Sequence, residues 1–329
     1  MPGKVPPEEL LSQVFTRTGT ADPAVIQGPA DGEDAAAIDV PAGTLVVSSD
    51  PISLSASRVG TLGVYVACND VAVSGADPRW LTVVLMLPSG SSIEPIVEDL
   101  DAAARDVGAS IVGGHSEYVD ALDRPLVVLT AMGVGEFVPT GGAEPGQQVV
   151  LTKAAGIEGT AILASDFADR FGMDPEICDR AIGFFEEINV TPDARILREY
   201  ATAMHDPTEG GVLAGLQELA RASGVRIEID RGAVPIRPET RALCADAGVD
   251  PLRIFGSGAV VGTVPDGEAD AAIASLAAAG IDATAIGTVN DADVDEDTAS
   301  GPTLVLDGEP IVDPIRDDLY PLWAAAESE

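Results

Sequence analysis

Three acidic clusters stand at the ends of predicted elements, each beside small residues that permit a close approach. The first is G-E-D-A-A-A-I (residues 32–38), the second ends the strand V-V-S-S-D-P at Asp50, and the third is the adjacent pair Asn69-Asp70. The pair lies on a helical stretch walled by Gly and Ala, where a carboxylate and an amide cost burial energy unless something binds them. Oxygen ligands of this kind favour Mg²⁺, which binds through a few carboxylates together with substrate phosphates.

Two further segments could contact a phosphate. Lys153 follows a predicted strand, precedes a glycine-rich turn, and is one of only two lysines in the chain. A compact ammonium at such a turn suits a phosphate, although an ordinary surface lysine fits the spacing equally well. The segment D-P-T-E-G-G (residues 206–211) opens a predicted helix, so it is either a capping sequence or a phosphate contact at a helix N-terminus. Both alternatives remain open for each segment.

Both histidines lie in glycine-rich segments that we interpret as turns. His115 is part of G-G-H-S-E (residues 113–117), which is either a tight turn or a place where backbone approaches a ligand, and His205 precedes Asp206. The sequence has no P-loop, no G-x-S-x-G elbow, no H-E-x-x-H motif and no Cys–His zinc spacing. What remains is typical of magnesium-nucleotide chemistry, which works by positioning and charge neutralisation.

The charge balance is strongly acidic: 54 acidic against 18 basic residues, net −36, with the acids spread along 329 residues. Such a surface repels itself unless salt screens it, so the composition predicts a cytoplasm of very high salt. It also argues against nucleic acid as a partner. Apolar runs are too short to span a bilayer, the N-terminus lacks a secretory signal, and the three cysteines have no paired spacing. We therefore predict a cytoplasmic protein with reduced cysteines and no membrane contact.

Strand and helix patterns alternate along the chain, which predicts an α/β or α+β fold. A turn-rich break at residues 141–147 divides it into domains of residues 1–145 and 146–329. In the first domain we expect helices at residues 6–17 and 92–107, and a helical pattern that starts at Gly60 and is closed by Gly75 and Pro78. Strands are expected near 35–39, 44–49, 80–87, 110–112 and 126–133. In the second we expect strands at 149–152, 225–230, 259–264 and 302–306, and a docking segment at 319–323. A helix is expected to follow K-A-A-G-I-E-G-T (residues 153–160) and run through Asp169, with further helices at 175–188, 192–203, 212–223, 238–248 and 268–280.

The chain resembles the aminoimidazole ribonucleotide (AIR) synthetase, or PurM, superfamily, and within it the HypE family of hydrogenase maturation factors and its archaeal relatives. The motifs that carry the resemblance occur in the same order and cover residues 30–288: G-E-D-A-A-A-I, S-S-D-P, N-D-V-A-V-S-G-A-D-P, G-G-H-S-E, K-A-A-G-I-E-G-T-A-I-L, D-P-T-E-G-G and G-S-G. The long N-D-V-A-V-S-G-A-D-P motif is specific, whereas glycine loops alone would be weak.

The resemblance implies an N-terminal α/β domain that dimerises through its sheet, a C-terminal α/β domain, and ATP with Mg²⁺ in the cleft between them. On matching positions, it implies magnesium on Asp34, Asp50 and Asp70, and catalytic roles for Asp70, Lys153 and Asp206. The implied cofactor-binding positions are Gly113, Gly114, His115, Thr208, Glu209, Gly210 and Gly211. The family chemistry is ATP-dependent activation of an amide or carbonyl oxygen by transfer of phosphate.

The chain departs from the HypE pattern in several places. HypE ends in a tail whose terminal cysteine carries the reacting group, whereas this chain ends L-Y-P-L-W-A-A-A-E-S-E and its last cysteine is Cys244. We therefore expect the terminal-cysteine reaction to be absent. The usual G-D-D of the magnesium loop is Gly32-Glu33-Asp34 here, and G-G-H-S-E replaces a G-D-T loop.

Three functional hypotheses follow. The leading one is an ATP- and magnesium-dependent enzyme that acts on an unknown small molecule as a homodimer. A small-molecule kinase resembling thiamine-monophosphate kinase is the second, and it differs by forming a stable phosphorylated product. A nucleotide-binding scaffold that has lost catalysis is the third.

Overall fold

The computed structural model describes residues 10–14, 16–18, 20–30, 32–52, 58–292 and 304–326. Two sheets, each accompanied by helices, account for the two halves of the chain. Of the helix predicted over residues 6–17, the segment Leu10–Val14 forms one π-helical turn, and residues 6–9 lie outside the described residues. Within the described ranges, no helix is both long and apolar enough to cross a membrane.

The first sheet contains six described strands in the order β1-β2-β3-β6-β4-β5. These are β1 (Val25–Gln27), β2 (Ala36–Val40), β3 (Gly43–Ile52), β4 (Ala76–Leu87), β5 (Ser110–Tyr118) and β6 (Leu126–Gly135). Neighbours pair antiparallel except β4 and β5. Those two run parallel because helix α2 (Glu94–Val107) connects them as a crossover.

Helix α1 (Val59–Val73) lies against β3 and β6 on one side and α2 on another, and is buried along almost its whole length. A Cβ at Gly60 would lie 2.6 Å from the Ile96 carbonyl oxygen, so glycine is needed for this close approach to α2. The predicted helix with small-residue walls is confirmed. Asn69 and Asp70 are consequently internal polar groups, at 0% and 8% exposure.

The segment 113–117, predicted as a glycine-rich turn, is instead part of the edge strand β5. The turn prediction is wrong because the glycine serves strand pairing: a Cβ on Gly114, at φ 150°, would lie 1.8 Å from the Val83 carbonyl oxygen of β4. Every residue of β5 is exposed, including Ile111, Val112 and Tyr118. An edge strand that exposes apolar side chains in this way is an unprotected pairing surface.

The second sheet has seven strands in the described residues, in the order β13-β12-β9-β11-β7-β10-β8. They are β7 (Gln148–Thr152), β8 (Ala203–His205), β9 (Arg226–Ile229), β10 (Val261–Val264), β11 (Ala283–Asn290), β12 (Leu304–Leu306) and β13 (Glu309–Ile311). Its helices are α3 (Ile157–Asp166), α4 (Ala168–Phe171), α5 (Pro175–Ile182), α6 (Thr191–Leu197), α7 (Gly211–Ser223), α8 (Pro238–Ala247), α9 (Ala269–Ala278) and α10 (Tyr320–Ala326).

The helix predicted over residues 192–203 is wrong at its end, because α6 ends at Leu197 and the chain then forms β8. That strand is only three residues long, and it exists because it pairs with Val261–Val264 across more than fifty residues of sequence. A pairing of this range leaves no local periodic signal. The helix predicted over 175–188 likewise stops at Ile182 and continues as the 3₁₀ turn Gly183–Glu187.

The predicted docking segment at residues 319–323 is confirmed. Leu319 is fully buried in a cluster with residues of α3, α5 and α8. The ring of Trp323 lies 5.6 Å from that of Phe167 and 6.1 Å from that of Phe255. Aromatic contacts therefore hold the C-terminal segment on the second domain.

Candidate metal and nucleotide site

Three carboxylates from distant parts of the chain meet between the two sheets. Asp34 precedes β2, Asp70 lies on α1 and Asp206 follows β8. One ligating oxygen from each lies within 4.8 Å of those of the other two. The buried helix α1 and the short strand β8 thus bring acids of both domains to one point. Asp206, which was predicted to act in catalysis, joins this group in the structure.

The electrostatics of these acids favour a cation. The pKa of Asp70 is raised well above its ordinary value, first by burial and then by Asp50 and Asp206. Burial and Asp34 likewise raise the pKa of Asp206. Both carboxylate oxygens of Asp206 are buried and have no hydrogen-bond partner in the described part of the chain. Buried polar atoms are nearly always bonded, so this pair of orphaned oxygens fits a divalent cation.

Asp50 lies beside this group. The hydroxyl oxygen of Ser48 is 2.5 Å from Asp70 Oδ2 and 3.0 Å from Asp50 Oδ2, so one serine links the two carboxylates. Ser48 and Asp50 both belong to β3. The predicted magnesium trio of Asp34, Asp50 and Asp70 is therefore gathered in one region, although the tightest triad contains Asp206 in place of Asp50.

His205 is a member of this site that the sequence analysis noted in a glycine-rich segment but did not include among the predicted site residues. Its Nδ1 lies 2.7 Å from Asp34 Oδ2 and its Nε2 lies 3.0 Å from Glu218 Oε2. Burial alone would lower the pKa of His205, but Asp34 and Glu218 hold it well above its ordinary value. The signal available in the sequence was its position directly before Asp206.

The adjacent residues Asn69 and Asp70 make different contacts. While Asp70 enters the acidic cluster, the Asn69 side chain donates to the Ile188 carbonyl at 2.9 Å and accepts from the Val190 N–H at 2.9 Å. A buried amide of α1 therefore binds the backbone of a segment that belongs to the second domain. These two hydrogen bonds fix the position of α1, and with it Asp70, relative to that domain.

Lys153 holds the same segment from the other side. Its ammonium donates to the carbonyls of Glu187 at 3.0 Å and Asn189 at 3.1 Å, and lies 3.3 Å from the buried carboxylate of Asp193. Three acceptors match the three N–H donors of an ammonium. The phosphate contact predicted for Lys153 stays a prediction, because in the structure its protons are engaged with the chain itself.

The segment 206–211 is built for close packing and is joined by the C-terminal segment. A Cβ at Gly211, whose φ is 65°, would lie 2.5 Å from the Ile254 carbonyl oxygen. The N–H of Gly210 donates to Asp317 Oδ2 at 2.8 Å. A carboxylate of the chain's own C-terminal segment thus occupies a position at the start of α7 where a phosphate was predicted. The cofactor roles predicted for Thr208, Glu209, Gly210 and Gly211 stay predictions.

The structure does not place the segment 113–115 on the acidic triad. On the edge strand, His115 Nε2 lies 3.4 Å from Glu117 Oε2 and its side chain is 66% exposed. The cofactor roles predicted for Gly113, Gly114 and His115 also stay predictions.

We expect Asp317→Asn to reduce the pH dependence of stability. Burial raises the pKa of Asp317 to about 7, and Glu158 and Glu209 add to the effect. A raised folded pKa means that the folded protein keeps a proton that the unfolded chain has lost, so stability falls as pH rises from about 4 to 7. Urea unfolding between pH 5 and 8 should show a slope that is shallower by up to about 1.4 kcal/mol per pH unit. Asp313→Asn, an exposed acid of the same segment, should keep the parental slope.

Comparison with known proteins places this site in a family. The model of the N-terminal domain of AIR synthase related proteins matches residues 32–135, and that of the C-terminal domain matches residues 144–298. The carbamoyl dehydratase HypE of Cupriavidus necator is 33% identical over 264 residues, which are 74% of this chain and 72% of the relative. The chain belongs to the AIR synthase-related family. The resemblance read from its motifs is confirmed.

Solved structures of the family agree with the fold. The crystal structure of Escherichia coli HypE has a TM-score of 0.71 at 26% identity, covering 90% of this chain and 93% of that chain. A HypE structure in complex with ATP has a TM-score of 0.65 at 25% identity, covering 87% of each chain. The predicted two-domain α/β architecture is therefore confirmed.

In this AIR synthase-related chain, Glu33 binds backbone N–H groups between the two domains. It accepts hydrogen bonds from the N–H groups of Thr140 and Gly141, each at 3.2 Å, where the chain passes from one domain to the other. Burial raises the pKa of Glu33. Its carboxylate is thus engaged with the inter-domain backbone, which leaves Asp34 as the acid of this pair that joins the triad.

Proposed function

We propose that this protein is an ATP- and magnesium-dependent enzyme that activates an amide or carbonyl oxygen of a small substrate by phosphoryl transfer. The observation that carries the proposal is the buried triad of Asp34, Asp70 and Asp206 with its orphaned oxygens. Membership of the AIR synthase-related family and the ATP complex of HypE support the nucleotide. Residues 1–145 would supply Asp34, Asp50 and Asp70, and residues 146–329 would supply Asp206.

The residues of the site would have separate roles. The triad would hold Mg²⁺, whose contribution is to neutralise the phosphate charge as it develops. Asp50, linked to Asp70 through Ser48, keeps the carboxylate of Asp70 in place. Lys153 is kept as a proposed phosphate contact, which would require its ammonium to leave at least one of its present acceptors.

The proposed reaction does not use a cysteine of this chain. All three cysteines are buried, and burial raises the pKa values of Cys68 and Cys244 to about 12 and that of Cys178 above its ordinary value. A thiol in that state is a poor nucleophile. We therefore propose that the substrate is a free small molecule.

Magnesium-dependent ATP binding tests the proposal. We expect Mg-ATP in molar KCl to raise the unfolding temperature by several degrees, because a ligand at 100 times its Kd stabilises the native state by about 2.7 kcal/mol. The shift should disappear with EDTA. No shift at saturating Mg-ATP would contradict the proposal. Binding without turnover would favour the scaffold hypothesis, and a stable phosphorylated product would favour the kinase.

We further propose a homodimer that covers β5. Ile111, Val112 and Tyr118 are 44%, 57% and 54% exposed. A second copy of the chain presents the same apolar strand, so the two copies could cover each other in a symmetric interface. Val112→Glu should reduce the mass measured by light scattering from two chains to one, because a buried unpaired carboxylate opposes association. Val97→Glu, at a position on α2 with 41% exposure, is the matched control and should leave the dimer intact. A monomeric parent protein would contradict the proposal.

A further inference from the structure

His205 joins two carboxylates that come from opposite domains. Its ring is 4% exposed, and both nitrogens face carboxylate oxygens, Asp34 on one side and Glu218 of α7 on the other. The imidazole therefore bridges Asp34 and Glu218, and these two contacts fix the ring in one orientation between the domains.

Among the described residues, His205 is the basic side chain that lies against the triad. In the described part of the chain, no lysine or arginine forms an ion pair with Asp34, Asp70 or Asp206. Of the residues that the structure describes, the only other donor to the Asp34 carboxylate is the Thr140 hydroxyl, which lies 3.3 Å from the same Oδ2 atom. His205 and Thr140 therefore both bind Oδ2, which leaves Oδ1 available to a metal ion.

The main chain around this contact is closely packed. A Cβ at Gly32 would lie 3.1 Å from the Glu218 carbonyl oxygen, so the loop that carries Asp34 rests directly on α7. One at Gly215 would lie 3.1 Å from the His205 ring. The imidazole therefore has little freedom to turn, and its orientation is transmitted to Asp34.

We propose that His205 is a positioning residue that fixes the Asp34 carboxylate as a ligand across the domain boundary, with Glu218 orienting the imidazole. The inference rests on the proposed function, because it concerns the same metal site. Partners that bond to metal-ligating side chains orient them, and their loss weakens metal affinity by about 10- to 100-fold. His205 would have this effect without touching the metal.

Two substitutions of His205 separate positioning from packing. The amide nitrogen of asparagine falls near the place of Nδ1, so His205→Asn keeps a donor to Asp34. The longer His205→Gln places its amide nitrogen near Nε2, so it keeps the contact with Glu218 and loses the one with Asp34. Binding of Mn²⁺ alone, followed by the electron paramagnetic resonance signal of the free ion, measures the site without nucleotide or turnover.

We expect His205→Gln to weaken Mn²⁺ binding about 10-fold or more, and His205→Asn to weaken it clearly less. Equal affinity in the two variants, or parental affinity in His205→Gln, would overturn the inference while leaving the proposed function standing. A parent protein that binds no Mn²⁺, or binds it as well as Asp70→Asn does, would overturn both.

Glu218→Met keeps the test decisive if the buried His205 variants fail to fold. It removes the acceptor that faces Nε2 and keeps a side chain of similar length, and Glu218 itself is 21% exposed. We expect a loss of Mn²⁺ affinity of a few fold in a protein that still unfolds cooperatively. Parental affinity in a folded Glu218→Met would overturn the orienting role and with it the inference.

Discussion

Asp70→Asn is expected to abolish Mg-ATP turnover and at the same time to stabilise the metal-free protein. Turnover should fall by about 10³-fold or more, because the substitution removes a charged ligand from the triad. The unfolding temperature without metal should rise by a few degrees, because Asp70 is a buried carboxylate repelled by Asp50 and Asp206. Phosphate release and thermal unfolding measure the two effects on the same sample.

An exposed acid provides the control for this experiment. Asp101 lies on α2, where its side chain is 63% exposed and pairs with Arg105 one turn away. Asp101→Asn should change neither turnover nor stability appreciably, because exposed ion pairs contribute little. If Asp70→Asn kept parental turnover, the proposed metal site would be wrong. If it unfolded the protein, Asp70 would be a structural residue.

Lys153→Met should give the largest loss of stability of any substitution considered. The change leaves the carboxylate of Asp193, which is 1% exposed, without its cation, and it also frees the carbonyls of Glu187 and Asn189. Removing one partner of a buried ion pair costs about 3–5 kcal/mol. Urea unfolding in molar KCl measures the loss, and a loss below about 1 kcal/mol would show that the buried pair is not important.

A double variant distinguishes this structural role from a phosphate contact. Asp193→Asn removes the charge that Lys153→Met leaves unpaired, so the double variant should recover a large part of the lost stability. Its affinity for Mg-ATP then reports on the lysine itself. Restored stability with restored affinity would exclude Lys153 from the phosphate site, whereas restored stability with weak binding would support the phosphate contact.

The order of most helices and strands could be predicted from the sequence, because each long element carries its own periodic pattern. Helix α1 is an example, since its Gly and Ala positions already indicated close contact on several sides. The three-residue strand β8 and the second part of β5, residues 113–118, could not, since both are defined by pairing with distant strands. In β5 the backbone of β4 requires Gly114, one of the two glycines that indicated a turn, but not Gly113.

In the candidate site, the acidic residues could likewise be predicted from the sequence, but their contacts could not. Asp34, Asp50 and Asp70 were singled out as acids at element ends near small residues, and Asp206 as part of the helix-opening D-P-T-E-G-G segment. The structure brings them together. Their roles as ligands remain predictions. No local pattern could reveal the hydrogen-bond and ion-pair partners of these side chains. The partners of Lys153 lie up to 40 residues away in the sequence, and those of Asn69 about 120 residues away.

The way in which Asn69 and Lys153 hold the segment 187–193 has a consequence for how related sequences can vary. Within the described part of the chain, the Asn69 side chain bonds only to main-chain groups of Ile188 and Val190, and two of the three Lys153 contacts go to main-chain carbonyls. The side chains at 188 and 190 can therefore drift among apolar residues without loss of these bonds, whereas positions 69 and 153 cannot. Of the positions in this segment, 193 is expected to change together with 153, because Asp193 contacts Lys153 through its side chain.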